Sequence, residues 1–252
     1  MVNASQAWLS VPKPTLAPRV RLFCFPYAGG TAAIYRPWAD VLPPDIELNA
    51  IQLPGREWRV KEPPIDSLDV LLSELMTAIA PSMDIPFAFF GHSLGALVSF
   101  ELARALRRED RMQPAHLFVS AYRAPQLPND EPQLRDATEE ELVTVLRHIR
   151  GTPDDVLGNS DLMELLLPAL RADFAIAGRY EYVDEPPLSA PISVFGGLGD
   201  AIFDHRKLEP WAAQTTGAFK LRMMPGSHFF INEGVDLLLR SVFNDLMVVT
   251  AT

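Results

Sequence analysis

The chain's 252 residues suit one α/β domain, and a composition 48% hydrophobic and 21% charged leaves ample material for a core. A formal charge of −10, from 32 acidic and 22 basic residues, argues against nucleic acid or an anionic membrane as the main partner. A single cysteine, Cys24, rules out an internal disulfide framework, and there is no run of 18 apolar residues to span a membrane.

Residues 1–18 carry Pro12, Pro14 and Pro18 and no periodicity, and are read as a loose arm. They have neither a basic start nor a sustained apolar run, so no signal peptide is expected and the cytoplasm is the expected location. Residues 19–252 are read as one domain. Within it, short apolar runs at Arg19–Phe25, Ile46–Gln52, Phe87–Phe90, His116–Ser120, Ile192–Phe195 and Phe219–Met223 alternate with amphipathic stretches at Ser67–Ala80, Leu94–Arg108, His205–Thr215 and Val235–Leu246. That alternation predicts βαβ units, hence an α/β fold with a mainly parallel central sheet flanked by helices. Cys24 lies inside the first run and reads as a small buried strand residue.

From about 125 to 187 the alternation stops. Only helical patterns appear, at Thr138–Arg150 and Asp161–Tyr182, the first opening with Thr138 and Glu141 at capping-box spacing. A helical insertion between two strands of such a sheet predicts a lid over the site.

Chemistry enters at PFAFFGHSLGALVSFELAR, residues 86–104. Here Gly91-His92-Ser93-Leu94-Gly95 joins an apolar strand pattern to a helical one. A serine on so tight a turn stands exposed above the sheet, and the glycines give the room for helix and strand to pack. The turn also aims backbone N–H groups of the new helix at the space beside the serine, as an oxyanion requires. Ser93 therefore reads as a nucleophile in need of a base. His92 is inside the turn, with its side chain expected to point away from the serine's face, and is read as structural. His116 opens an apolar run, His148 lies on the polar side of a lid helix and His205 starts a helix. His228, in MMPGSHFF, follows the last strand pattern, at a carboxyl end where sites form. Asp200, after ISVFGGLG, stands at another strand's carboxyl end, with Asp204 as the runner-up carboxylate. The chain order Ser93, Asp200, His228 is that of the α/β-hydrolase architecture. In that architecture the loop after the first parallel strand, here Pro26-Tyr27-Ala28-Gly29-Gly30, donates an oxyanion N–H. We assign that donor to Ala28 and the other to Leu94.

Taken together, LFCFPYAGGTAAIYRPWADVLP, AIQLPGRE, PFAFFGHSLGALVSFELAR, LFVSAYRAP, LPALRADFAIAGRYEY and MMPGSHFFIN resemble the successive blocks of type II thioesterases over about residues 19–245. These are stand-alone α/β-hydrolases that accompany polyketide synthases and non-ribosomal peptide synthetases. The resemblance implies hydrolysis of acyl groups from the phosphopantetheine arm of carrier proteins, freeing arms blocked by wrong or stalled units. It makes Ser93 the nucleophile, His228 the general base, Asp200 the orienting acid and Ala28 and Leu94 the oxyanion donors. Where Tyr27 stands, many relatives are expected to have histidine, a change without effect on a backbone donor. No metal or redox cofactor is expected, since the pantetheine belongs to the substrate.

An acyl- or peptidyl-carrier domain is the expected partner, and a monomer the expected state. Such domains are typically acidic around the modified serine, so docking on this acidic chain calls for a local basic or apolar patch. Arg56, Arg59 and Lys61 form one candidate and Arg104, Arg107, Arg108 and Arg111 another, although each group also reads as a solvated charged face. Leu142, Val143, Leu146 and Ile149 of the lid are candidate contacts to the arm or acyl chain. The alternatives are a medium-chain fatty acyl or acyl-CoA thioesterase, or a small-molecule carboxylesterase, each with the same triad. A binding protein on a dead hydrolase scaffold is expected to lose a triad member, and none is missing.

Overall fold

A computed structural model describes residues 7–130, 134, 137–149, 151 and 154–250. Seven strands form one sheet: β1 (Leu9–Ser10), β2 (Val20–Phe25), β3 (Ile46–Ile51), β4 (Phe87–His92), β5 (His116–Ser120), β6 (Ile192–Gly197) and β7 (Phe219–Met224). Their order is β1-β3-β2-β4-β5-β6-β7, with β1 antiparallel to β3 and every other pairing parallel. The strands read as apolar runs because a parallel sheet is covered on both faces. Alternation within β2 assigns the faces. Phe23 and Phe25 enter a core with Phe89, Leu97, Phe100 and Trp211, while Leu22 and Cys24 enter one with Phe90, Phe118, Trp38 and Val242. Each buried phenylalanine contributes on the order of 2 kcal/mol. Burial pushes the Cys24 thiol up, in keeping with an inert core residue.

β2 lies between β3 and β4, so the strand order reverses there. The carboxyl ends of β2 and β4 consequently open onto a common crevice, the place where such sheets bind ligands. Between β5 and β6 run α4 (Glu139–Ile149), α5 (Asp154–Leu157) and α6 (Ser160–Arg179), with no strand among the described residues of that segment. The Thr138–Glu141 capping box forms: Glu141 N–H donates to Thr138 Oγ1 at 3.2 Å, and Thr138 N–H to Glu141 Oε2 at 2.7 Å. Leu146, Leu157, Met163 and Leu170 give the three helices a small core of their own. The remaining helices are α1 (Trp38–Val41), α2 (Leu68–Ile79) and α3 (Leu94–Arg108) before this segment, and α7 (His205–Leu208), α8 (Phe230–Glu233) and α9 (Val235–Thr250) after it.

The structure corrects several expectations. The arm is not loose at residues 8–10: Trp8 is buried in the core, and Leu9 and Ser10 pair with Ile51 and Ala50. The Arg59 guanidinium sits 4.0 Å from the centroid of the Trp8 ring. A two-residue strand has no periodicity to reveal it; the exposed edge of β3 recruits it. The predicted His205–Thr215 helix is α7 followed by a 3₁₀ segment at Glu209–Gln214, because Pro210 lacks the N–H needed to continue α7.

Neither basic group is a free patch. Arg56 is buried against Asp173, and Arg59 is buried and paired with the exposed Glu62; of the three basic residues Lys61 alone is exposed. Arg104, Arg107 and Arg108 all pair with Glu185, at 2.9, 2.6 and 2.8 Å, fastening the chain after the lid to α3. Arg111 lies 3.8 Å from Glu109.

Candidate active site

The turn after β4 is as tight as its glycines suggest. A Cβ on Gly91 would overlap the backbone of Gly95 and Ala96, and one on Gly95 would overlap the carbonyls of Phe25 and Pro26. Ser93 itself takes φ 53° and ψ −120°, a strained conformation for a residue with a side chain. Hydrogen bonds on both sides enforce it: Ser93 N–H donates to Ser120 O and Ala96 N–H to Ser93 O, each at 2.8 Å. Ser93 is therefore the N-cap of α3, with its side chain free of capping duty.

His228 follows β7 and Asp200 follows β6. The imidazole Nδ1 and Asp200 Oδ2 are 2.8 Å apart. The other carboxylate oxygen, Oδ1, accepts from Ile202 N–H at 2.8 Å and Phe203 N–H at 3.1 Å, so the loop fixes the carboxylate's orientation. With Nδ1 held, Nε2 is the ring atom left for the serine. Asp204 has a different task. It caps α7, accepting from Arg206 N–H and Lys207 N–H, and pairs with the Arg206 side chain.

Ser93 and His228 line the same cavity of about 360 Å³, whose wall also includes Val145, Ile149, Phe174, Ala177, Ile202 and Phe203. A second cavity, about 440 Å³, shares Ile149, Ile202 and His228 and adds Arg147, Gly199, Asp200 and Ser227. The imidazole thus stands between a largely apolar chamber and a more polar one. The lid supplies the roof: Thr144, Val145 and Ile149 from α4, and Phe174, Ala177 and Gly178 from α6. Of the four lid residues expected to meet an acyl chain, Ile149 lines both of these cavities and the other three line neither. Leu142 and Leu146 are buried, and Val143 packs on the lid's own core. The apolar stripe of α4 closes the lid on itself, and its flank faces the chamber.

The residues assigned to an oxyanion hole, Ala28 and Leu94, lie where their strands bring them. β2 pairs with β4 so that Phe25 stands opposite Gly91, which sets the Tyr27–Gly30 loop beside the Ser93 turn. Neither Ala28 N–H nor Leu94 N–H donates to another protein group among the described residues. Leu94 is the first residue of α3, where an N–H has no intrahelical acceptor.

His92 does not point away from the site. It is buried, with Nδ1 2.9 Å from Ser120 Oγ, and its ring centroid lies 5.4 Å from that of His228. Burial and then the neighbouring His228 hold its pKa well below the ordinary histidine range, so it stays neutral. Phe203, Phe229 and Tyr27 complete an aromatic surround. Of the remaining histidines, His116 is buried at the far end of the sheet and His205 is exposed in α7; the side chain of His148 lies outside the described residues. Sequence reasoning missed Asp173, a carboxylate buried in α6 whose only signal was a charge within the apolar ADFAIA face.

A mostly parallel sheet, a strained serine at the β4 turn and a hydrogen-bonded Asp–His pair at neighbouring strand ends define an enzyme of the α/β-hydrolase fold. More narrowly, the chain belongs to the thioesterase family: the Thioesterase domain model matches residues 20–246. It is 41% identical over 250 residues to the gramicidin S biosynthesis protein GrsT of Aneurinibacillus migulanus, covering 99% of this chain and 98% of that protein. Among solved structures it resembles the type II thioesterase BorB of the borrelidin biosynthetic cluster, with TM-score 0.87 and 33% identity over 94% of this chain and 97% of that one. It also resembles RedJ, the thioesterase of the prodiginine pathway in Streptomyces coelicolor, with TM-score 0.85 and 38% identity over 92% of this chain and 88% of that one. No helix among the described residues is long and apolar enough to cross a membrane.

Proposed function

We infer that this thioesterase hydrolyses acyl groups from the phosphopantetheine thiol of carrier proteins and clears wrong or stalled units from a polyketide or peptide synthase. The observation that carries the reading is the Asp200–His228 pair whose imidazole lines the same largely apolar, lid-roofed chamber as Ser93. The biosynthetic names of GrsT, BorB and RedJ support the choice of carrier.

In this mechanism Ser93 Oγ attacks the thioester carbonyl while His228 Nε2 takes its proton. Asp200 holds the imidazole and stabilises its cation. The tetrahedral oxyanion accepts from Ala28 N–H and Leu94 N–H, each worth about 3 kcal/mol. The C–S bond then breaks and the thiol leaves with the proton from His228. A thiol of pKa near 8.5 asks little acid assistance. Water attacks the acyl-Ser93 ester, His228 again taking the proton, and the free acid and Ser93 hydroxyl are regenerated.

The test compares wild type and Ser93→Ala on an acylated carrier protein, the matching acyl-CoA and a p-nitrophenyl ester of equal chain length. Mass spectrometry of the carrier reads deacylation directly. Preference for the carrier thioester, abolished by Ser93→Ala, is expected. Preference for acyl-CoA points to the fatty acyl alternative, and preference for the oxygen ester to a carboxylesterase; either overturns the editing role. A fully active Ser93→Ala protein overturns the mechanism.

A further inference from the structure

The loop assigned to oxyanion stabilisation is held in place from the lid. Gly30 N–H donates to Tyr27 O at 2.8 Å, closing a four-residue turn, and Gly29 takes φ 75°. A positive φ at the third position marks a type II turn, in which the central peptide has its N–H on the side opposite to that of a type I turn. That peptide's N–H belongs to Gly29, and it donates to Asp173 Oδ2 on α6 at 2.7 Å. Arg56 holds the same carboxylate with two bonds, at 2.7 and 2.9 Å, and donates from Nη1 to Gly30 O at 3.3 Å. The two atoms flanking the turn's second half are therefore fixed by one ion pair. Leu170, one helical turn before Asp173, packs so closely on Gly29 that a Cβ there would overlap it.

This ion pair is costly for a purely structural element. Asp173 is 1% exposed and Arg56 4% exposed, and apolar residues of similar volume often replace such buried pairs without loss of stability. Apolar residues cannot, however, accept the Gly29 N–H. A Gly-Gly loop left to itself samples many conformations, whereas an oxyanion donor is effective only when preorganised.

We propose that Asp173 and Arg56 are positioning residues that lock the Tyr27–Gly30 turn with Ala28 N–H aimed at the reacting carbonyl, so that oxyanion stabilisation depends on the lid helix α6 being seated. The inference rests on the serine mechanism proposed above and names a residue pair acting through the loop. Lifting α6 withdraws the acceptor of Gly29 N–H and releases the loop. Hydrolytic competence and lid seating are then one event.

The experiment measures kcat and KM on an acyl-CoA for Asp173→Ala, Asp173→Asn, Arg56→Lys and Ser93→Ala. Alongside are the affinities of two analogues of the same chain length. One is a trifluoromethyl ketone, whose Ser93 adduct puts an oxyanion in the hole; the other is a thioether that forms no adduct. Asp173→Ala is expected to lower kcat about 10–100-fold, less than the roughly 100–1000-fold lost when an oxyanion donor itself is removed. Ketone affinity should fall in parallel, while KM and thioether affinity stay within about threefold. Asp173→Asn, whose amide oxygen still accepts the Gly29 N–H, should recover part of the loss. Equal losses of thioether and ketone affinity, or a kcat within twofold of wild type, overturn the proposal. If Asp173→Ala does not fold, the same ratios in Asp173→Asn and Arg56→Lys decide. An active Ser93→Ala enzyme instead sinks the serine mechanism itself, so the two failures are told apart.

Discussion

The rings of His92 and His228 lie 5.4 Å apart with their planes tilted 57° to each other, yet only His228 reaches the cavities. Burial keeps His92 neutral through the working pH range. Replacing a ring that stays neutral should leave the acidic side of the pH–rate profile unchanged. His92→Asn is expected to follow the wild-type profile on that side, since no charge is removed. His228→Ala should lower kcat at least about 10³-fold. An acidic side displaced in His92→Asn would show that His92 carries charge in that range.

Asp200 and Asp204 are four residues apart in sequence and differ in task. Asp200→Asn leaves the loop hydrogen bonds but removes the carboxylate facing Nδ1, and a fall in kcat of about 10²–10⁴-fold is expected. Asp204→Asn keeps a helix cap of comparable quality and should leave kcat within twofold. Steady-state kinetics of both variants on one acyl-CoA check the assignment, and equal losses contradict it.

Chain-length preference should reside in the lid flank. Val145 lines the chamber from α4 and is only half-buried, so Val145→Trp can fill space without displacing the lid's core. The kcat/KM ratio of a long to a short acyl substrate is expected to fall at least about tenfold, the scale at which pockets discriminate methylenes. Leu142→Ala, buried away from the chamber, should lower stability and leave that ratio unchanged.

A second buried network predicts acid sensitivity. His116 Nε2 lies 3.0 Å from Ser193 Oγ, which donates to Asp245 Oδ2 at 2.6 Å, and Lys220 and Arg222 hold that carboxylate. Burial lowers His116 to about 4; the attraction of Asp245 for the imidazolium opposes this, and the repulsion of Lys220 and Arg222 adds to it. Asp245 sits at about 2 because its hydrogen bonds outweigh burial. The unfolded chain protonates histidine near pH 6.5 while folded His116 stays neutral, so its contribution is complete above that pH and is lost as pH falls towards 4. Asp245 adds a further loss between about 4 and 2. By linkage His116 alone removes about 2 kcal/mol between pH 8 and pH 5. Urea titrations should show His116→Gln losing correspondingly less stability over that interval; an unchanged difference would falsify the assignment.

Much of this protein was determined locally and was therefore legible in the sequence. The strands announce themselves because burial on both faces demands continuous apolar runs. The Ser93 turn does so because only glycine admits α3 against β2. Asp200 and His228 were found by rank order, each just beyond a strand's carboxyl end, and the structure puts them in hydrogen-bond contact. Other features arose only when distant segments met. Arg56 and Asp173, 117 residues apart, look like ordinary surface charges until folding buries one against the other. Trp8 and Leu9 acquire a place because β3 offers an edge, and Glu185 gathers three arginines that sequence could only describe as a charged face. A residue's partners across the fold depend on closing long loops, and no local periodicity records which loops close. The sequence by itself determined the elements and the candidate reacting groups; tertiary structure decided which face of the lid lines the chamber beside Ser93 and what holds the Tyr27–Gly30 loop.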